Sequence, residues 1–296
     1  MKLADLHCDT PYELYHKKQS LLKNDLHISL EKVGFLQKYI QICAVWSDSR
    51  LTSQQAWDYF LKISANFKAE AKNLLCTSKL NKSISLILSV EDLKLIGNDI
   101  AKIDALHNAG VRCATLTWKG ISVIGGAWDT DLGLTNFGHE VIEKLCECRI
   151  TPDVSHGSVK LIDDVLKYAH KPVCATHSNA YAVYPHKRNI ADHHAKMIAQ
   201  KGGLIGASLC PMHINGDAPD IYRYIDHIEH LISVAGTDSI VLGCDFDGVS
   251  SLPEGVRDIT STEYIFEALV RRIGNTNAEK VFFDNIYNFI QSNVLG

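Results

Sequence analysis

Eight short apolar runs rich in β-branched residues recur along the chain, and longer stretches with helical spacing of their apolar positions lie between them. The runs are Leu3–Asp5, Ile40–Val45, Ser85–Ser89, Arg112–Leu116, Thr151–Val154, Val173–Thr176, Leu204–Ser208 and Ile240–Gly243. Each is too short for a helix and suits a buried strand. Between or after them, Ser53–Lys72, Val159–Tyr168, Asp220–Ala235 and Thr262–Ile273 read as amphipathic helices. A last helix over Ala278–Gln291 puts Phe282, Ile286, Phe289 and Ile290 on one face. Strands alternating with helices predict parallel βα units. Eight such units in 296 residues predict one (β/α)8 barrel, a single domain over residues 1–296. An open doubly wound sheet would carry a Gly-rich phosphate turn after an early strand, and none is present. No Pro/Ser/Gly-rich linker divides the chain, and Gly120–Gly138 reads as a long loop after the fourth strand.

In such a barrel the reactive groups stand at the C-terminal ends of the strands. His7 and Asp9 follow the first run, Glu91 the third, His156 the fifth, His177 the sixth, and Asp245 and Asp247 the eighth. His7 and Asp9, at i and i+2 of an extended segment, project to one side. An imidazole and a carboxylate there suit a divalent metal ion. Three histidines and several carboxylates exceed the needs of one four-coordinate site. One ion would take His7, Asp9 and Glu91, and a second Glu91, His156 and His177, with Glu91 bridging. A two-metal hydrolase site of this kind activates water near neutral pH. By itself it does not choose among amide, ester and phosphate substrates.

Composition excludes several other classes. A net charge of −4 lacks the basic footprint of a nucleic-acid binder. No run of about 18 apolar residues offers a membrane span, and the acidic and histidine residues near Met1 predict no signal peptide. Nine scattered cysteines without a CxxC pair read as buried thiols in a reducing compartment, which predicts a cytoplasmic protein.

The same residues carry a resemblance. Asp5-Leu-His-Cys-Asp-Thr10, Ser89-Val-Glu91, Leu116-Thr-Trp118, Gly133-Leu-Thr-Asn-Phe-Gly138 and Asp153-Val-Ser-His156 occur in order. Thr176-His-Ser-Asn-Ala-Tyr181, His186-Lys-Arg-Asn189, Gly243-Cys-Asp-Phe-Asp-Gly248 and Phe283-Asp-Asn-Ile-Tyr287 follow. In these motifs, nearly end to end, the chain resembles the membrane (renal) dipeptidase family, peptidase family M19, of the metal-dependent hydrolase superfamily. The resemblance implies a (β/α)8 barrel with two zinc ions, hydrolysing the peptide bond of small dipeptides. It implies His7 and Asp9 on one zinc, His156 and His177 on the other, and Glu91 between them. It implies Asp245 at the attacking water and the substrate's amine, and Arg188 at the substrate's carboxylate, which a planar guanidinium fits. It implies a homodimer, with no nucleic-acid or membrane partner indicated by the chain. Another binuclear metal-dependent hydrolase (amidase, lactonase or phosphoesterase) is the alternative on the same barrel.

One position departs from the pattern. Better-known members carry a histidine where this chain has Trp118. Trp118 is expected either to line the substrate pocket or to plug the barrel mouth, and its indole N–H can donate one hydrogen bond. His193, His194, His213, His227 and His230 lack strand-end positions and are expected to be solvated or structural. Asp247 is expected to support the turn before Gly248, and Asp153 has no assigned role.

Overall fold

The computed structural model describes residues 1–80 and 82–295. Five parallel strands form one sheet in sequence order: β1 (Lys2–Cys8), β2 (Lys38–Trp46), β3 (Ile84–Glu91), β4 (Val111–Thr115) and β5 (Thr151–Asp153). A parallel pair, β6 (Ile205–Ala207) and β7 (Ile240–Leu242), faces them. The segment 173–176 links the two, through parallel bridges Asp153↔Cys174 and Ala175↔Ile205. The bridge Cys8↔Phe246 joins the chain after β7 back to β1. Eight staves thus close into a ring, as the alternation of runs predicts. The sixth is held by isolated bridges rather than a regular ladder. Its backbone bonds are still made: Cys174 N–H donates to Pro152 O (3.0 Å), and Ala175 N–H to Leu204 O (2.9 Å).

Helices α1 (Thr10–Lys17), α2 (Ser53–Ala71), α3 (Ala101–Asn108), α4 (Asn136–Glu147), α5 (Val159–Tyr168) and α6 (Asp192–Gln200) lie between the staves. After β6 come a single turn, α7 (Pro211–Ile214), and the longer α8 (Ile221–Ala235); α9 (Thr262–Ile273) follows β7. The best-defined starts are side-chain caps. Thr52 and Gln55 form a reciprocal capping box at α2, and Ser158 accepts from Leu161 N–H at α5.

The axis is filled by Leu6, Ile42, Ile87, Cys113, Cys174 and Val241, which come from six different staves and form one buried cluster. The C-terminal helical run, Asn275–Val294 with two π-type turns, closes the lower end. Phe283, Ile286, Phe289 and Ile290 join the axial cluster, while Phe282 packs into the larger outer core. Lys2 and Lys38, the first residues of β1 and β2, sit over the rings of Phe283 and Tyr287. The helix therefore plugs the N-terminal ends of the strands and leaves their C-terminal ends open.

Register decides what stands at that open end. Trp46 pairs with Glu91, Glu91 with Thr115, and Thr115 with Asp153, so one transverse layer carries all four. Gly206 and Gly243 make room beneath it, because a Cβ on either would collide with the Thr176 carbonyl.

Candidate metal centre

β1 ends in an irregularity of register between Asp5 and Cys8. Asp5 fixes this turn: one oxygen accepts from the N–H groups of His7 and Cys244, both at 3.0 Å. Asp9 N–H donates to Phe246 O (2.9 Å), and Asp245 N–H to His7 O (3.2 Å). The first and last strand ends are thereby stitched together, and donor atoms of His7, Asp9 and Asp245 lie within 4.8 Å of one another. Gly248 permits the approach, since a Cβ there would strike the carboxylates of both Asp9 and Asp245. His156 (φ 65°) and Asp245 (φ 62°) adopt left-handed backbone, which is costly for residues with a Cβ and recurs at functional sites. The His156 turn is held by its carbonyl, which accepts from Trp128 N–H (2.8 Å) and the Thr117 hydroxyl (3.3 Å).

Glu91 stands among three imidazoles. Its Oε1 is 3.0 Å from His156 Nε2 and 3.4 Å from His177 Nε2. Its Oε2 is 3.9 Å from His7 Nε2; the His7 and His177 rings are 4.0 Å apart, and donor atoms of His7, Glu91 and His177 lie within 4.8 Å of one another. His7 Nε2 is in turn 3.6 Å from Asp9 and 3.9 Å from Asp245. The two distal imidazole nitrogens, on His156 and His177, are 2.8 Å apart.

The electrostatics call for cations. Burial lowers the pKa of His7, but the carboxylates of Glu91, Asp9 and Asp245 outweigh it and carry the imidazole up to about 10. Burial, then the nearby Asp9 charge, pushes Glu91 well above the usual carboxylate range. Burial raises Asp245 to about 7, against the pull of His7. Burial, reinforced by neighbouring cations, holds His156 and His177 neutral, the form that offers a nitrogen lone pair. Clustered carboxylates that retain protons, beside neutral imidazoles, are what divalent ions relieve. His7 Nε2 and Asp9 Oδ1 are buried without a hydrogen-bond partner among the described residues, so these donors fit a metal.

A support that sequence reasoning missed stands behind His177. Asp153, fully buried, accepts from Ser155 N–H and Thr176 N–H on one oxygen, both at 2.9 Å. Its other oxygen accepts the hydroxyls of Thr115 and Thr176, both at 2.6 Å. The Thr176 hydroxyl has one proton, and Asp153 takes it. Its lone pair therefore faces His177 Nδ1 at 2.9 Å, and that nitrogen must be the protonated one. This leaves the Nε2 lone pair aimed at Glu91, the tautomer that ligates metals. The Asp153-Val-Ser-His156 motif held the clue, but nothing local says that Asp153 bonds across to Thr176.

The open end of the barrel is a cavity of about 410 Å³, within the roughly 300–1,000 Å³ of small-molecule sites. Asp9, Glu91, His156 and Asp245 line it together with Trp46, Trp118 and Tyr12. Trp118 thus lines the pocket, its ring 5.2 Å from that of Trp46 and 6.0 Å from that of His156. Asp247 also borders the cavity, but its carboxylate accepts from the Thr10 hydroxyl and His27 N–H, a supporting position. Arg188 is buried; it donates to the His177 carbonyl (3.3 Å), and its Nε has no partner among the described residues. Burial lowers its pKa, opposed by the charges of Asp245 and Glu91. It lines a second cavity, of about 430 Å³, and is not among the residues that line the first. Of the discounted histidines, His194 pairs with Asp163, His230 with Asp192, and His227 with Ile214 O and Ala180 N–H, as structural residues. His213 departs from expectation: it stands in the wall of the 410 Å³ cavity.

A parallel barrel with imidazoles and carboxylates converging at the C-terminal ends of its strands defines the class of metal-dependent hydrolases. Comparison with known proteins narrows it. The chain belongs to the membrane dipeptidase family, peptidase family M19, whose family model matches residues 1–293, and it is a metal-dependent dipeptidase. Among solved structures it is similar to the dipeptidase AC, a metallo peptidase of family M19, at 23% identity, with a TM-score of 0.91 and coverage of 100% of this chain and 99% of that one. It is similar to a metallo peptidase from Rhodobacter sphaeroides liganded with a phosphinate mimic of L-Ala-D-Ala, at 23% identity, TM-score 0.89 and 99% coverage of both chains. An amidohydrolase from Pseudomonas aeruginosa matches at 18% identity and TM-score 0.80, over 98% of this chain and 95% of that one. Among the described residues no helix is long and apolar enough to cross a membrane.

Proposed function

We propose that the chain is a binuclear zinc dipeptidase in which His7, Asp9 and Glu91 hold one ion, and Glu91, His156 and His177 the other. The observation that carries this reading is the orientation of Glu91, with Oε1 toward His156 and His177 and Oε2 toward His7. A single carboxylate with one oxygen near His156 and His177 and the other near His7 suits a bridge. Imidazole nitrogen with carboxylate oxygen suits zinc. When bound, the metal pair supplies Lewis acidity and a water acidic enough to react near neutral pH.

The remaining roles fall to side chains of this chain. Asp245 lines the cavity beside His7, at 3.9 Å, and there takes a proton from the attacking water and returns it to the leaving amine. The same carboxylate receives the substrate's free amine. Arg188 receives the free carboxylate, with Nε and a planar fork to offer. Trp118 and Trp46, in the same cavity lining, exclude water from the site and limit the width of the cavity. The nine free cysteines support a cytoplasmic location.

The test is hydrolysis of a panel of L,L and L,D dipeptides by zinc-loaded enzyme, beside Asp245→Asn. Turnover of at least one dipeptide, lost by a factor of about 100 or more in the variant while metal content is kept, is expected. Absence of turnover on the whole panel, with two ions bound, overturns the assignment.

A further inference from the structure

We infer that Asp163, His193 and His194 form a separate metal site on the outside of the barrel, which takes a borderline first-row divalent ion such as zinc. Asp163 lies in the middle of α5, and His193 and His194 lie in the first turn of α6. None of them lines the cavity that holds Asp9, Glu91, His156 and Asp245. The site therefore stands apart from the strand-end centre and is independent of the reaction assigned to it.

The donors already converge. Asp163 Oδ1 is 2.8 Å from His194 Nε2 and 3.9 Å from His193 Nε2, and donor atoms of all three residues lie within 4.8 Å of one another. Two ligands of a tetrahedral zinc stand about 3.3–3.4 Å apart, given bonds of about 2.0–2.1 Å. That value falls between the two distances, so each need change by only about half an ångström. Consecutive residues of a helix point about 100° apart around its axis, so adjacent histidines ordinarily diverge. Here the rings of His193 and His194 turn together, with centroids 3.9 Å apart.

Burial gives the site a fixed half and an open half. The His194 side chain is 1% exposed and is held by Asp163, whereas the side chains of Asp163 and His193 are 52% and 60% exposed. An ion can thus enter from solvent onto a preset pair. In the metal-free chain His194 Nε2–H donates to Asp163, and coordination displaces that proton. Asp192, the carboxylate next in sequence to His193, is taken up by His230 at 2.8 Å. Asp163, His193 and His194 are then the protein ligands, and water completes the shell. Two imidazoles with one carboxylate select zinc and its first-row neighbours over calcium and magnesium, which prefer oxygen donors. The ligands come from two helices, so the ion staples α6 to α5. It does so where the Arg188 loop ends, since His193 and His194 line the 430 Å³ cavity with Arg188.

The experiment titrates zinc into full-length protein whose strand-end centre is already loaded, comparing wild type, His193→Ala, Asp163→Asn and His170→Ala. His170 is an exposed histidine outside the cluster and serves as the control. At micromolar free zinc, equilibrium dialysis with elemental analysis should find about one more ion per chain in wild type and His170→Ala than in His193→Ala or Asp163→Asn. The same zinc should raise the melting temperature of wild type and leave that of His193→Ala unchanged. Calcium at the same concentration should do neither. His193→Ala carries the test, because an exposed side chain can be truncated without unfolding the chain. Equal zinc content in wild type and His193→Ala at micromolar zinc would overturn the inference. So would an additional ion that binds only at millimolar zinc, which is adventitious, or an equal response to calcium. Each reading is a difference between variants, so it holds whatever substrate the strand-end centre hydrolyses.

Discussion

Asp153→Asn isolates the hydrogen-bond relay behind the metal centre. The carboxylate receives four hydrogen bonds, two from backbone N–H groups and two from threonine hydroxyls. An asparagine can keep its carbonyl oxygen on the two backbone donors. Its amide then faces Thr115 and Thr176 with protons rather than lone pairs. The Thr176 hydroxyl must accept there and turn its own proton onto His177 Nδ1, 2.9 Å away. The imidazole proton is forced to Nε2, the nitrogen that faces Glu91 at 3.4 Å. A ligand in that tautomer has no lone pair for the metal. Supporting residues of this kind cost roughly 10–100-fold in metal affinity, about 1.4–2.8 kcal/mol. Fold stability should fall by about 1–3 kcal/mol as well, from the weakened buried network.

The assay is chelator competition for bound zinc, with thermal melting of the metal-free protein as the check on folding. Two companions sharpen it. Thr176→Val removes the relay and should weaken metal binding, whereas Thr115→Val removes one bond to Asp153 and leaves the His177 tautomer alone. Folded Asp153→Asn with wild-type zinc affinity would refute the tautomer argument. So would a loss in Thr115→Val equal to that in Thr176→Val, since that pattern signals general loosening.

Other outcomes follow from the same geometry. Glu91→Gln should reduce bound metal from two ions to one or fewer and abolish turnover, as elemental analysis beside kinetics would show, because an amide offers only one ligating oxygen. Chelation of wild-type enzyme should abolish activity and lower the melting temperature, and added zinc should restore both. His227 accepts from Ala180 N–H and donates to Ile214 O in its neutral form, and burial lowers its pKa below 6.5. A folded-state pKa below the unfolded value means that the unfolded chain binds more protons. The stability it contributes is therefore present above about pH 6.5 and is lost as pH falls. Melting curves of metal-free protein from pH 7.5 to 5 should show a shallower decline in His227→Gln than in wild type. Phe282→Ala should destabilise by about 3–5 kcal/mol in denaturant melts, because that ring is fully buried where the C-terminal helix packs against Phe266.

Much of the architecture was legible in local pattern. A buried strand writes itself as a short apolar run, and a parallel βα unit as a run followed by amphipathic spacing, so the ring of eight staves could be anticipated. The sixth stave was placed correctly, at Val173–Thr176, but its pairing shrank to isolated bridges. The chain leaves that stave at His177 for the site, and β6 and β7 approach it at Gly206 and Gly243. The C-terminal helix was also legible, since its apolar face is periodic. That it closes the lower end of the barrel, with Phe283 beneath Lys2, was not.

The sequence by itself determined which candidate donors stand at the strand ends, because chemistry and position coincide there: His7 with Asp9, Glu91, His156, His177 and Asp245 each end an apolar run. Only the tertiary structure decided how those groups are oriented and supported. Glu91 acquires its imidazole neighbours because the closed ring brings His7, His156 and His177, from three different staves, near its two oxygens. Asp153 acquires a purpose because curvature brings Thr176 within 2.6 Å of its carboxylate. His213 enters the cavity because a short helix after β6 folds over the site and is tied to the Arg188 loop by Asn189. Such contacts join residues far apart along the chain, and a linear pattern carries no record of the distance between them once the ring has closed.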